Sequence, residues 1–166
     1  MRGTKDYNAA LLHQLDDLLA QLHNADLTAP RSLIFEASIG QHVRHILEYH
    51  SLLLKQYGSG RINYDLRERD RRIETEVDHA RGTIERCVDE LHCIPGDREL
   101  LLETELPEGA SMVTQGTSLL RELTYVADHC VHHLAMVRIV VRQELPHVAF
   151  PQELGVAAAT RNHHAR

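Results

Sequence analysis

TSLLRELTYVADHCVHHLAMVRIVVRQEL, Thr117–Leu145, is the stretch whose reading decides the fold. Leu120, Leu123, Ala127, Cys130, Leu134, Val137 and Val141 recur three or four residues apart, which lines them along one face of a helix. Arg138 and Arg142 place positive charge where the C-terminal end of the helix dipole favours it. Pro146 lacks the amide that a further turn would need, so the helix stops there. A long amphipathic helix must bury its stripe against neighbours, and the rest of the chain supplies them.

Three further amphipathic segments precede it. Leu11, Leu15, Leu18 and Leu22, flanked by Leu12 and Leu19, predict a helix over about 6–24. Ser38-x-x-Gln41 reads as a capping box that opens a second helix, with Ile39, Val43, Ile46, Leu47, Leu53 and Leu54 on its apolar arc and Gly58 and Gly60 after it. Val77, Ala80, Ile84, Val88 and Leu91 predict a third over about 75–92, closed by Pro95-Gly96. Arg61–Arg72 reads as a charged, solvated connection. Leu100–Leu106 reads either as helix or as a short strand, paired in the second case with Ser111–Gln115 across Pro107-Glu108-Gly109. The expectation is one domain over 1–166, an all-α four-helix bundle with a possible short β-hairpin between the third and fourth helices. The connections are long enough to permit a crossover topology.

Composition excludes several function classes. With 18 Lys and Arg against 24 Asp and Glu the net charge is −6, which disfavours nucleic acid as a partner. No apolar run approaches the roughly 18–20 residues that span a bilayer, and acidic and polar residues interrupt the N-terminus as a secretory signal, so no membrane association and a cytoplasmic location are expected. The three cysteines form no CxxC pair. Cys87 and Cys130 fall on apolar stripes and read as packing residues. His163-His164 reads as disordered surface.

The 13 histidines are the unusual feature. Imidazole is the commonest protein metal ligand. His129 and His133 are one helical turn apart, so their rings leave the same face about 6 Å apart at Cβ. They share that mostly apolar strip with Leu119, Glu122, Val126, Met136 and Val140, where an unpartnered ring costs roughly 1–3 kcal/mol to bury. A shared ion answers that cost, as does a pair of hydrogen-bonded core histidines. His42, His45 and His50 on the second helix are candidates for a third ligand. Helical phase alone favours His42 and places His45 at the edge of the apolar arc. His50 reads as a core residue and His132, about 100° from His133, as a surface one. Tyr64, Asp65 and Arg69 read as loop residues that line a mouth or face solvent.

SIGQHVRHILE, Ser38–Glu48, and RELTYVADHCVHH, Arg121–His133, together resemble the second- and fourth-helix signatures of DinB/YfiT-like proteins. Gly60–Asp65 and Phe150–Ala158 resemble one branch of that family. The resemblance implies a bundle in up-down-down-up order, often a homodimer. It implies a divalent metal, zinc or nickel, on His45, His129 and His133. It also implies a possible metal-dependent transferase or hydrolase acting on an unknown small molecule, such as a low-molecular-weight thiol. The alternative is a non-catalytic bundle that works through its dimer surface. Three imidazoles leave a fourth position open, and each ring needs an outer partner for its second nitrogen; Glu48, Asp128 and Glu122 are the expected ones.

Overall fold

The computed structural model describes residues 1–105 and 112–164. Among them are seven α-helices and one small sheet. The long helices are α1 (Arg2–Leu19), α3 (Ile39–Gln56), α5 (Val77–Cys93) and α6 (Leu119–Glu144). The short ones are α2 (Asn24–Thr28), α4 (Arg72–Thr75) and α7 (Ala158–His164). α1 packs on α5 and α6, and α3 packs on the same two. The leucine stripe of α1 forms the centre of the core: Leu12, Leu15 and Leu19 are fully buried, facing Leu47 and Leu53 of α3 and Leu123 and Leu134 of α6 within one contiguous cluster.

Local chemistry sets the two helix starts that matter for the site. The Ser38 hydroxyl accepts from the Gln41 amide while the Gln41 side chain accepts from the Ser38 amide, the reciprocal pair expected from the sequence. Ser118 caps α6 in the same way through the Arg121 amide. A buried polar link then ties three helices together. Asn8 on α1 donates to the Leu123 carbonyl of α6 and its side-chain oxygen meets His50 Nε2 on α3 at 3.0 Å. His50 Nδ1 faces the Ile46 carbonyl at 2.9 Å, so the core reading of His50 holds.

The expected all-α fold with a possible short hairpin holds in part: the structure is mostly helical, and the hairpin belongs to a three-stranded sheet. Strand β1 (Arg61–Ile62) pairs in parallel with β2 (Glu99–Thr104), which pairs antiparallel with β3 (Val113–Ser118). The hairpin reading therefore holds for Leu100–Thr104 against Val113–Gln115, in the register Leu101 opposite Gly116; Leu106, Pro107-Glu108-Gly109 and Ser111 lie outside the described residues. The connection 61–72 is likewise no plain solvated loop. It buries Ile62 and Tyr64 and ends in the single turn α4. At the other end, 151–155 folds back on α6: Leu154 is fully buried and Gly155, at φ +68°, lies against the backbone of Ala135. The terminal histidines read as disordered stand instead at the end of α7. Among the described residues no helix is long and apolar enough to cross a membrane.

Candidate metal centre

α3 and α6 lie side by side with opposite residue order. His45 of α3 meets His129 and His133 of α6, with ring centroids 4.8 and 4.6 Å away, and the latter two are 4.6 Å from each other. One ligand-capable atom from each of the three lies within 4.8 Å of the other two. The structure thus brings together the three residues indicated by the resemblance.

What the rings do not do is as informative. Neither nitrogen of His45 or of His129 makes a hydrogen bond to a described residue, and His129 Nε2 is buried as well. Two polar rings, His45 and His129, packed against each other without hydrogen bonds are an unfavourable arrangement unless something draws their lone pairs inward. A divalent cation fits that donor set: neutral imidazole is a borderline ligand suited to zinc, copper, iron and nickel.

The rings are neutral near pH 7. Burial first, then the neighbouring His129 and the cations of Arg67 and Arg44, push His45 down to about 4. Burial and the other three histidines of the cluster push His133 down to about 3. Burial likewise lowers His129, with His132 and Arg67 adding to it. Protons therefore compete weakly for these lone pairs.

The expected outer partners are corrected. Glu48, Glu122 and Asp128 make no hydrogen bond to the triad. Asp128 is exposed. Glu122 is fully buried but accepts from the Tyr64 hydroxyl at 2.9 Å and from the Thr117 hydroxyl at 2.6 Å. Glu48 is buried between Arg44 and Arg67, at 3.7 and 3.8 Å. The partner of His133 is instead His42, whose Nδ1 lies 2.8 Å from His133 Nδ1.

An aromatic shelf, of which the sequence pointed to Tyr64 but not to Tyr49 or Tyr125, bounds the site on the side away from His42. Tyr49 packs on His129 and His45 with centroids 4.3 and 4.8 Å away, and Tyr64 stacks on Tyr49 at 4.9 Å. Tyr125 lies 5.8 Å from His129. The Arg67 guanidinium covers the Tyr49 ring at 4.6 Å. Tyr49 is one turn after His45 and Tyr125 one turn before His129, so the i, i+4 rule that pairs the histidines could have found both tyrosines. Tyr64 is buried with its hydroxyl on Glu122, whereas Asp65 and Arg69 are exposed. His132 is exposed, as expected, and Cys130 is buried away from the site.

A cavity of about 380 Å³ lies between α3, Leu66–Asp70 and α5. Glu48, Arg67, Ser51 and Cys87 line it, together with Leu52 and Ile73. Arg67 stands between this cavity and the histidines, touching both the cavity and the Tyr49 ring. The chain matches no family model, no curated protein and no solved structure.

Proposed function

We propose that this protein binds one divalent cation, zinc or nickel, through His45, His129 and His133, within a bundle of the DinB/YfiT-like kind. The observation that carries the reading is the convergence of three neutral imidazoles, of which His45 and His129 make no hydrogen bond to a described residue and His129 has a buried, unpartnered nitrogen. The helix contacts support the bundle. Asp16 meets Arg81 and Lys5 meets the Ile94 carbonyl, so α1 and α5 run antiparallel; Asn8 meets Leu123 and Gln21 meets the Ala149 carbonyl, so α1 and α6 run the same way. With α3 opposed to α6, the order is up-down-down-up.

A bound cation would lower the pKa of a coordinated water or thiol toward neutrality. The chain's own residues would hold and screen it. His45, His129 and His133 present lone pairs, and the Tyr49–Tyr64–Tyr125 shelf shields one side. Arg67 places a cation at the edge of the site, suited to a substrate with negative charge or a thiolate. On this reading the protein is a metal-dependent transferase or hydrolase of a small molecule, and the cavity beyond Arg67 is room for the body of that molecule. A second reading, a homodimeric scaffold with a structural ion, draws on the fact that none of the triad lines that cavity.

Elemental analysis of purified protein tests the metal. One equivalent of ion in the parent, lost in His45→Ala, His129→Ala and His133→Ala, is the expected result. Equal metal in the parent and in the three variants would sink the reading. A crystal of the loaded protein in which Arg67 closes the site on every approach would favour the scaffold over the enzyme.

A further inference from the structure

The histidine cluster has a fourth member that the three-ligand reading leaves over. His42 lies one turn before His45 on α3, and its ring packs on His133 of α6 with centroids 5.1 Å apart. The two rings meet nitrogen to nitrogen, Nδ1 to Nδ1, at 2.8 Å. At that separation one nitrogen carries the hydrogen and the other accepts it. His42 is not among the three residues whose ligand atoms converge, and its other nitrogen, Nε2, is buried without a partner among the described residues.

We propose that His42 is the positioning residue of this centre: its Nδ1 accepts a hydrogen bond from the Nδ1–H of His133 and thereby sets that ring's tautomer and direction for a cation. This rests on the reading of the triad as a metal site. A neutral imidazole carries one hydrogen, and its location decides which nitrogen has a free lone pair. If His42 donates, His133 accepts at Nδ1 and must carry its hydrogen on Nε2, which is then closed to a cation. If His133 donates, its Nε2 is open. Both rings stay neutral in either state: the donor in the bond reverses, and in the second state the remaining hydrogen stands on His42 Nε2 instead of His133 Nε2. A cation at Nε2 selects the second, so its binding and this hydrogen bond strengthen each other.

Metal-bound histidines ordinarily give their second N–H to a carboxylate, a backbone carbonyl or a water. Here the acids nearest in sequence, Glu122 and Asp128, are turned elsewhere, and an imidazole takes the place of a carboxylate. The substitution has a chemical consequence. A neutral acceptor adds no negative charge next to His133, so an ion held there keeps more of its own charge. His42 also couples the two helices. It shares α3 with His45, and its grip on His133 fixes α6 at the height where His129 and His45 meet.

The test measures zinc affinity by competition with a chromophoric chelator, and the visible spectrum of the cobalt(II) form, for the parent, His42→Ala, His42→Asn and His133→Ala. His42→Ala is expected to bind zinc about 10- to 100-fold more weakly than the parent. Its cobalt bands should keep the parent's intensity, because no ligand has been removed. His42→Asn offers a side-chain oxygen where Nδ1 stood and should recover most of the affinity. The metal-free melting temperature should be similar in the parent and both His42 variants. Parent-like affinity in His42→Ala would overturn the proposal. So would a loss as complete as that of His133→Ala with altered cobalt intensity, which would make His42 a ligand. Weak binding that His42→Asn leaves uncorrected, with a lowered metal-free melting temperature, would reduce His42 to packing and overturn it too. A parent that binds neither zinc nor cobalt would instead remove the metal reading, and this proposal with it.

Discussion

Gly40→Ala is expected to destabilise this protein even though alanine is the better helix former. Gly40 lies in the first turn of α3, where the helix meets α4. A methyl group there would stand 2.0 Å from the Glu74 carbonyl oxygen, 2.7 Å from its carbon and 2.9 Å from its Cα. Carbon–oxygen contacts settle at about 3.3 Å, so α4 would have to retreat by roughly 1 Å. The obstacle is backbone, which cannot rotate aside as a side chain does. Overpacking of this kind costs about 1–3 kcal/mol, and a rigid neighbour puts it at the upper end. Helix propensity returns about 1 kcal/mol. The net loss of about 2 kcal/mol corresponds to a melting temperature lower by about 4–8 °C in a chain of this size. Gly82 in the middle of α5 is the control: its nearest neighbour would be the flexible Arg86 guanidinium at 3.8 Å. There alanine should add about 0.5–1 kcal/mol, or about 1–4 °C. Scanning calorimetry of both variants with chelator present reads the two signs directly. A Gly40→Ala protein that melts at or above the parent would refute the close approach of α3 and α4 on which the setting of His42 and His45 depends.

Three further outcomes are expected. The metal-free protein should lose stability as the pH falls from about 6.5 to about 4 and be flat between about 7 and 8. Burial holds His50 down to about 4 when folded, whereas the unfolded chain takes up that proton near 6.5, so the unfolded state binds more protons throughout that window. His50 alone accounts for about 3 kcal/mol, opposed in part by Glu48, whose burial raises it; urea midpoints that do not move between pH 7.5 and 4.5 would contradict this. Native protein at neutral pH should be alkylated at Cys93 only, because burial pushes Cys87 up to about 11 and Cys130 up to about 12. Mass spectrometry that finds Cys130 labelled as fast as Cys93 would show that α6 does not bury it. Tyr64→Phe should cost about 1–3 kcal/mol by denaturant titration, since it strips a donor from the fully buried Glu122; no loss would mean that Thr117 and Arg121 satisfy that side chain without it.

The long helices were legible because each carries its own period, and α3 also its start signal at Ser38. Elements without a period were not. β1 has only two residues, α4 only four, and β3 is mostly exposed, so none of them writes an alternating or amphipathic pattern. The leucines of β2 suit either state, and its pairing with β1 and β3 decides it. The buried Leu154 and Val148 were missed because the fold-back after α6 depends on a contact with Ala135, far from both in sequence.

For the site, the spacing of His129 and His133 carried the geometry on α6. Phase on α3 favoured His42 over His45, yet both turn towards α6, one turn apart. His42 meets His133 alone, whereas His45 meets both α6 rings. That difference belongs to the packing of two helices and cannot be written in either helix by itself.

The central claim is most directly tested by an anomalous-difference map from a crystal grown with zinc or nickel and measured at the absorption edge of that metal. A strong peak enclosed by the imidazoles of His45, His129 and His133 is the result expected here. An empty site, or a peak only at exposed histidines such as His132, would contradict it.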